Sequence, residues 1–260
     1  MKIAIIQTEI KDFDVDHNYN NFYSLLKSVE EDTSLVLLPE MFLTGFVSDT
    51  SLAEQSKQKG LSLMRNFAKK KNTAVEGTLM IEENGQFFNR HYFIHPDVET
   101  FYDKVHLFSH SDEAFHFTKG EKKDVIVSYS DFNIKLLTCY DLRFCLSSLN
   151  RYSKEVFLYD ILTYLASWPQ MRREQWITLL KARAIENQAY VIGVNRIGKD
   201  GKGIEYSGNS CIINPKGEEE SPIKIDNDSI FYYHIDKEKL NTFRQKFPVF
   251  HDWDKIKYRR

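Results

Sequence analysis

Residues 134–144 read IKLLTCYDLRF and give the clearest local indication of how the chain folds. The apolar run 134–138 predicts a strand, and the residues that follow Cys139 predict a helix. A nucleophilic side chain at such a junction lies at a sheet edge, beside backbone N–H groups that no neighbouring strand has taken. The alternative for Cys139 is a buried structural cysteine, which is the commonest position of a free thiol.

Two further charged residues occupy similar positions at predicted strand ends. Glu40 follows the apolar residues 35–39, and Lys104 follows residues 101–103. A charge at the end of an apolar strand is costly unless it is solvated or paired. Each residue alone has an ordinary explanation: Glu40 as a helix-start carboxylate, Lys104 as a surface lysine, and Cys139 as part of the core. If the three lie together, however, they form a self-consistent site for acyl transfer.

The chemistry of such a site assigns a role to each group. A thiolate is a strong nucleophile, but it needs a lowered pKa or a nearby base. Glu40 can take the proton of the Cys139 thiol and later deliver it to a leaving amine. Lys104 can stabilise the developing oxyanion together with the backbone N–H of Tyr140.

Three motifs resemble the signature regions of the nitrilase superfamily of carbon–nitrogen hydrolases, and they occur in the family's order. They are LPEMF at 38–42, YDKVHL at 102–107 and LTCYDLRF at 137–144. Segments at 3–7, 166–169, 182–188 and 206–210 are similar to other parts of the family. The resemblance therefore spans nearly the whole chain.

This resemblance implies an α/β fold, an α-β-β-α sandwich of two mixed sheets flanked by helices. It implies a single carbon–nitrogen hydrolase domain over residues 1–260, usually paired into a homodimer. A catalytic triad of Glu40, Lys104 and Cys139 is also implied, with no metal and no organic cofactor. A second glutamate often supports the site in this superfamily, and Glu113 is the matching residue. Its alternative is a solvated loop carboxylate.

Within the superfamily, the chain length and residues 104–113 look most like the omega-amidase branch. Enzymes of that branch hydrolyse the terminal amide of 2-oxoglutaramate or 2-oxosuccinamate, releasing ammonia and a 2-oxo dicarboxylate. The alternatives are an N-carbamoyl amino acid hydrolase or a nitrilase of the same superfamily, and a non-catalytic scaffold that binds a partner. One departure is Cys145-Leu146, where the family usually has proline, often followed by glutamate; the role of Cys145 is open.

Candidate residues for binding a small amide substrate follow the same motifs. Phe108 and Trp168 are predicted to form walls of the site, although large aromatic side chains are equally typical of a core. A substrate with a carboxylate at its far end needs a cation or several N–H groups there. Arg172 and Arg173 are the candidates for that contact.

Other polar side chains near the motifs are predicted to have structural roles. Arg143 is expected to orient the loop through a carboxylate such as Asp141. His106, His110 and His116 form a local cluster that raises the possibility of a metal site. Their spacing fits no zinc pattern, so solvated loop histidines are the prediction.

The composition is that of a globular protein with no electrostatic bias. The 260 residues contain 35 Lys and Arg against 37 Asp and Glu, a net charge of −2, which gives no reason to expect nucleic acid or an anionic membrane as partner. No run approaches the roughly 18 apolar residues of a membrane helix. The N-terminus is predicted to be a first strand, not a signal peptide. Three cysteines cannot all pair, so reduced thiols and a cytoplasmic location are expected.

Strand-like and helix-like patterns alternate along the chain, and no linker or repeat divides it. The predicted strands are 2–7, 34–38, 73–80, 86–95, 100–105, 134–139, 156–159, 190–195, 207–213 and 229–235. The predicted helices are 16–30, 52–71, one between 139 and 156, 171–187 and 236–246. The helix 171–187 is predicted to place Trp176, Leu179, Leu180 and Ile185 on one face, with Arg183 elsewhere.

Overall fold

The computed structural model describes residues 1–122, 124–220 and 229–254. The strands of these residues, in chain order, are β1 (Lys2–Gln7), β2 (Leu35–Leu37), β3 (Ala74–Glu83), β4 (Gln86–His95), β5 (Val98–Asp103), β6 (Ile126–Tyr129), β7 (Phe132–Thr138), β8 (Tyr152–Ser153), β9 (Val156–Phe157), β10 (Ile161–Ala166), β11 (Tyr190–Asn195), β12 (Ile197–Lys199), β13 (Glu205–Ser207), β14 (Cys211–Ile213) and β15 (Ser229–His234).

The helices connect these strands and flank them. They are α1 (Val15–Lys27), α2 (Ala53–Lys71), α3 (Glu113–His116), α4 (Cys145–Ser148), α5 (Arg173–Asn187) and α6 (Lys237–Lys246). Short 3-10 helices cover Thr50–Leu52, Cys139–Arg143, Gln170–Arg172 and Val249–His251. Helix α1 begins where the Asp14 side chain accepts a hydrogen bond from the backbone N–H of His17, as an N-cap residue does.

The first sheet has the strand order β15-β1-β2-β3-β4-β5. Its centre is parallel, from β1 through β2 to β3, while β15, β4 and β5 are antiparallel to their neighbours. The β3–β4 hairpin turns through Asn84 and Gly85, whose φ angles are +53° and +76°. These left-handed conformations are those that an Asn-Gly hairpin turn requires.

The second sheet has the order β14-β11-β10-β7-β6. Strands β7, β10 and β11 are parallel, and the two outer strands are antiparallel. Because Thr138 pairs with Leu165 at the end of the register, β7 and β10 finish at the same edge of the sheet. Cys139 and Ser167, which directly follow these two strands, are therefore brought to one place.

The two sheets pack face to face, and helices cover their outer faces. Along β1, Ile3 and Ile5 contribute to the core shared with the second sheet, while Ala4 and Ile6 pack with α1 and α2. This alternation is the period-two pattern of a strand buried on both sides. Trp176 of α5 belongs to the core on the second sheet. The predicted α-β-β-α sandwich of two mixed sheets is confirmed.

One central strand was not predicted. The expected strand 156–159 is only Val156–Phe157, which pairs with β8 in a small hairpin, and β10 (Ile161–Ala166) follows it at the centre of the second sheet. All six residues of β10 are buried. A parallel strand covered on both faces has no alternation of polar and apolar residues, so its pattern gives little to distinguish it from other apolar runs.

Two other predicted elements differ in extent. The expected strand 207–213 is divided, since Gly208 and Asn209 have φ angles of +67° and +58° that interrupt it between β13 and β14. The expected helix after the nucleophile is a 3-10 turn, Cys139–Arg143, followed by the four-residue α4.

The buried face of α5 also differs from the prediction. Ile185 is 53% exposed, while Arg183 is buried and its guanidinium donates to the backbone oxygen of Leu142 at 2.8 Å. Trp176 and Leu180 are buried as predicted. Residue 185 follows 180 by five positions, which at about 100° per residue turns its side chain away from the sheet.

Truncation of Leu180 should therefore destabilise the protein far more than truncation of Ile185 in the same helix. We expect Leu180→Ala to lower the free energy of unfolding by about 2–5 kcal/mol, because it leaves a cavity in a fully buried site. Urea denaturation of the two variants measures the difference. An equal loss in Ile185→Ala would contradict the assignment of the buried face.

Candidate active site

Cys139 lies at the turn where β7 passes into the 3-10 helix. Its φ angle is +40°, in the left-handed region, which costs a residue with a β-carbon about 1–3 kcal/mol. The side chain is 8% exposed and lines a cavity. The negative charge of Glu40 and the positive charge of Lys104 both act on its thiol.

Glu40 comes three residues after the end of β2 and is fully buried. Its Oε1 accepts hydrogen bonds from Lys104 Nζ at 3.0 Å and from Asn89 Nδ2 at 2.8 Å. Its Oε2 accepts one from the backbone N–H of Ser167 at 2.8 Å. The carboxylate is thus held from two sheets, because Asn89 lies on β4 and Ser167 follows β10.

Lys104 directly follows β5 and is also buried, with 1% of its surface exposed. Its Nζ lies 3.0 Å from Glu40 Oε1 and 2.9 Å and 3.0 Å from the two carboxylate oxygens of Glu113. Glu113 opens helix α3, and its Oε2 also accepts from the backbone N–H of Phe108 at 2.6 Å. One ammonium therefore joins two buried carboxylates.

The electrostatics of this group follow from its burial and its mixed charges. Burial alone would lower the pKa of Lys104, but the negative charges of Glu113 and Glu40 outweigh it and raise the pKa. Burial raises the pKa of Glu113 in spite of the neighbouring ammonium. Burial and the charge of Glu40 raise the pKa of the Cys139 thiol well above its usual range, against the lowering effect of Lys104. The resting thiol is therefore protonated at neutral pH.

Asp141 connects the turn at Cys139 to the loop after Lys104. Its buried carboxylate accepts from the Tyr102 hydroxyl at 2.8 Å and from the backbone N–H of Thr138 at 3.0 Å. The other oxygen accepts from the backbone N–H of His106 at 3.1 Å, and the Nδ1 of the same residue lies 2.7 Å away. These contacts fix the two loops relative to each other.

A cavity of about 460 Å³ opens above this group and is within the size range of small-molecule sites. Phe108, Trp168 and Tyr140 line it, as the sequence predicted for the first two. Arg172 lines it as well, with its guanidinium 5.5 Å from the Phe108 ring centre. Arg173 does not line it. Its side chain lies beside the helix and donates to Asn209 Oδ1 at 3.1 Å, so its predicted place in the site is wrong.

Arg143 also differs from its predicted position. Its guanidinium donates to Gln175 Oε1 at 2.5 Å and lies 4.8 Å from the Trp168 ring centre, and the side chain lines the cavity. Asp141, its predicted partner, is occupied by the backbone and by other side chains. Arg143 and Arg172 form no ion pair with a carboxylate among the described residues, although both face the cavity.

Asn89 and Ser167 belong to the site but were not predicted. Asn89 contacts both Glu40 and Glu113, the second at 3.1 Å, and is 1% exposed. An asparagine within the strand 86–95 was a signal that could have identified it, since asparagine is disfavoured in strands. Ser167 acts through its backbone N–H, which no side-chain pattern reveals.

The three histidines of the sequence cluster do not come together around an ion. The ring of His106 stacks on Phe144 with centroids 3.9 Å apart, and that of His110 lies edge-on to Phe108. No group of three or more potential metal ligands occurs in residues 1–122, 124–220 and 229–254. In the same residues no helix is both long enough and apolar enough to cross a membrane.

The fold consists of two stacked mixed sheets, and a buried thiol, a carboxylate and an ammonium lie at the edge of one cavity. This combination defines a nitrilase-like protein. The carbon–nitrogen hydrolase family model matches residues 2–245, and the chain belongs to that family. The predicted resemblance is thereby confirmed. The prediction of an enzyme that hydrolyses carbon–nitrogen bonds, an amidase, is confirmed at the same level.

Two amidases are similar to this chain along their whole length. The omega-amidase YafV of Yersinia enterocolitica is 34% identical over 257 residues, which cover 98% of each chain. The 2-oxoglutaramate amidase of Bacillus subtilis is 27% identical over 268 residues, again 98% of each chain. Among solved structures, a CN-hydrolase superfamily protein from Xanthomonas campestris with an arsenic adduct in its active site is 29% identical, with a TM-score of 0.94 over 100% of this chain and 99% of that one.

Removal of the buried ammonium should destabilise the protein in a pH-dependent way. In Lys104→Met two buried carboxylates face each other, so we expect a loss of about 3–5 kcal/mol in the free energy of unfolding at pH 8. One carboxyl then binds a proton more tightly in the folded state than in the unfolded state. The difference in free energy of unfolding between wild type and Lys104→Met therefore becomes smaller as the pH falls toward 5.

The matched control is Lys202→Met, which removes a cation that also lines the cavity but is 76% exposed. Urea denaturation at pH 8, 6.5 and 5 measures both variants. A Lys104→Met deficit that stays constant over these pH values would contradict the charge arrangement.

Proposed function

We propose that the chain is a cysteine-dependent omega-amidase, which hydrolyses the terminal amide of 2-oxoglutaramate or 2-oxosuccinamate through a thioester. The observation that carries this proposal is the ion pair of Glu40 and Lys104 beside the Cys139 thiol, at a cavity that also presents Arg143 and Arg172, which have no carboxylate partner among the described residues. The first group supplies amide chemistry, and the arginines supply recognition of an anionic substrate. The relatives named omega-amidase and 2-oxoglutaramate amidase support the same substrate.

The first step is acylation of Cys139. Because the resting thiol is protonated, Glu40 acts as the general base that takes its proton while the sulfur attacks the amide carbonyl carbon. The carbon–nitrogen bond then breaks, and the same proton passes from Glu40 to the nitrogen, which leaves as ammonia. The product of this step is a thioester between Cys139 and the acyl group.

In deacylation, water is the nucleophile and the Cys139 sulfur is the leaving group. A water molecule takes the place of ammonia, Glu40 accepts its proton, and the oxygen attacks the thioester carbonyl. The carbon–sulfur bond breaks, and the proton returns to the Cys139 sulfur as the acid is released. No group is consumed over the cycle.

The oxyanion formed in both steps is stabilised by Lys104 and by the backbone N–H of Tyr140. Lys104 lines the cavity, and its charge is close enough to Cys139 to lower the pKa of that thiol. Tyr140 is the second residue of the 3-10 helix, whose first N–H groups have no carbonyl partner within the helix. Glu113 holds the ammonium in place by its two contacts and is a positioning residue.

The substrate's far end is recognised by Arg143 and Arg172. In 2-oxoglutaramate the carboxylate lies at the opposite end of the chain from the amide, so the substrate extends from Cys139 to the arginines. A guanidinium is suited to such a carboxylate because it offers paired donors. Trp168 and Phe108, which lie beneath the two guanidinium groups, line the space between.

The N-carbamoyl amino acid hydrolase is the second candidate, because its substrate also carries a carboxylate that these arginines could bind. A nitrilase acting on small neutral nitriles would have no use for them. Release of ammonia from 2-oxoglutaramate, an N-carbamoyl amino acid and a small nitrile therefore separates the three activities. Turnover of 2-oxoglutaramate at least ten times faster than the others is expected, and its absence would overturn the substrate assignment.

The neighbouring arginines 172 and 173 provide a matched test of substrate recognition. We expect Arg172→Met to raise the KM for 2-oxoglutaramate by roughly 10- to 100-fold, the effect of losing a charged hydrogen bond. Hydrolysis of a neutral amide of similar length should change little. Arg173→Met, outside the cavity, should leave both substrates unaffected. Equal effects of the two substitutions would contradict the proposed contact.

Replacement of Glu40 should separate thiol reactivity from turnover. In Glu40→Gln we expect kcat/KM to fall by about 10³-fold, because the general base is lost. The charge that raises the pKa of Cys139 is lost as well, so alkylation of this thiol by iodoacetamide should shift to lower pH.

Mass spectrometry of tryptic peptides measures the alkylation, since cleavage after Arg143 separates Cys139 from the exposed Cys145. Retention of more than a tenth of the wild-type kcat/KM would exclude Glu40 as the base. An alkylation profile shifted to higher pH would contradict the electrostatic argument.

We further propose that residues 1–260 form one domain that acts as a homodimer in the cytoplasm. Apolar side chains at the surface support association, since Phe115 and Met171 are 84% and 81% exposed. The cysteines 139, 145 and 211 are all free, which supports a reducing compartment. Light scattering on the purified protein should give twice the mass of one chain, 30.6 kDa.

A further inference from the structure

The two oxygens of the Glu40 carboxylate are not equivalent. A carboxylate oxygen offers about two lone-pair positions for hydrogen bonds. On Oε1 both are taken, by Lys104 Nζ at 3.0 Å and by Asn89 Nδ2 at 2.8 Å. On Oε2 one is taken, by the backbone N–H of Ser167 at 2.8 Å. One position on Oε2 therefore remains for the proton that Glu40 exchanges.

We propose that Asn89 is a positioning residue for the reaction, and that by filling Oε1 it makes Oε2 of Glu40 the oxygen that carries the transferred proton. This inference rests on the proposed role of Glu40 as general base. In each half-reaction the proton leaves the Cys139 thiol or the attacking water and binds Oε2. It then returns from Oε2 to the leaving nitrogen or to the sulfur, so that the carboxylate is regenerated.

The orientation of the Asn89 amide is determined by its neighbours. Its nitrogen faces Oε1 of Glu40 and, at 3.1 Å, Oε1 of Glu113. Ionised carboxylate oxygens only accept hydrogen bonds, so the side that faces both of them must be the NH₂ group. Both amide hydrogens are then used, one on each carboxylate.

The position of Asn89 is rigid because its backbone is part of the sheet. The backbone carbonyl oxygen of Asn89 accepts a hydrogen bond from the backbone N–H of Lys104 at 3.0 Å, and the residue is 1% exposed. The charged and titratable groups that face Glu40 are Lys104, Cys139 and, across the Asn89 amide, Glu113. Loss of Asn89 removes one donor from Glu40 and the longer of its two contacts, that to Glu113, without removing any of these charges.

The test is Asn89→Leu, which keeps a similar side-chain volume and removes the donor. With one hydrogen bond fewer, the charge of the Glu40 carboxylate is less compensated and opposes formation of the Cys139 thiolate more strongly. We expect the acid limb of kcat/KM and the alkylation profile of peptide 136–143 to move to higher pH by about one unit, the size of one lost hydrogen bond to a charged group.

A double variant shows whether Asn89 acts through Glu40. In the Glu40→Gln background, Asn89→Leu should leave the alkylation profile in place, because the charge on which it acts is gone. Alkylation by iodoacetamide needs no substrate, so this result is independent of whether 2-oxoglutaramate is turned over. An equal shift in both backgrounds would overturn the proposal, as would a pH-independent loss of activity in Asn89→Leu alone.

The matched control is Asn150→Leu, which removes another buried asparagine with two side-chain donations to backbone oxygens, those of Tyr159 and Asn187. It should lower the Tm without moving either pH profile. Should Asn89→Leu fail to fold, Asn89→Asp keeps the shape and places a further negative charge beside Glu40. In Asn89→Asp the acid limb of the kcat/KM profile should move to higher pH by more than one unit. An unchanged acid limb would overturn the proposal.

Discussion

The buried ammonium of Lys104 is the interaction on which the arrangement of the site depends. An isolated buried charge would be strongly unfavourable. The Lys104 ammonium therefore requires hydrogen-bond acceptors from the protein in place of the water that it loses on burial. Glu40 and Glu113 supply three carboxylate oxygens within 3.0 Å of its nitrogen. Because these residues come from three separate segments, the ammonium can be neutralised only when the first sheet and its following loops are assembled together.

The same charge balance explains why the nucleophile rests as a thiol. Burial disfavours a thiolate at Cys139, the negative charge of Glu40 opposes it further, and the ammonium of Lys104 does not offset these two effects. The site therefore avoids a permanently reactive sulfur and generates the nucleophile only as the proton is taken. Asp141 completes the arrangement by fixing the nucleophile turn to the lysine loop, so the distances do not depend on the sheets alone.

Much of this could be predicted from sequence, because strand ends place polar residues at a common sheet edge. Glu40, Lys104 and Cys139 were each visible as a polar group that ends an apolar run. The central strand Ile161–Ala166 was not, because burial on both faces removes the polar residues that mark a strand's period.

The remaining differences have similar physical causes. Ser167 contributes a backbone N–H, which is the same for every residue type and leaves no trace in the sequence. The choice between Arg172 and Arg173 depends on where the 3-10 helix passes into α5, and one residue in that boundary turns a side chain by about 100°. Boundaries of this kind follow from tertiary packing and are the least predictable part of an element.

The backbone at Cys139 has a consequence for how this position can change over evolution. Its φ angle of +40° favours glycine, so a substitution to glycine would relieve local strain and could stabilise the fold while abolishing the chemistry. Thermodynamic stability therefore favours glycine at position 139, whereas catalysis requires cysteine. A homologue that carried glycine at this position would be recognisable from that one residue as a lineage in which selection for hydrolysis had ended.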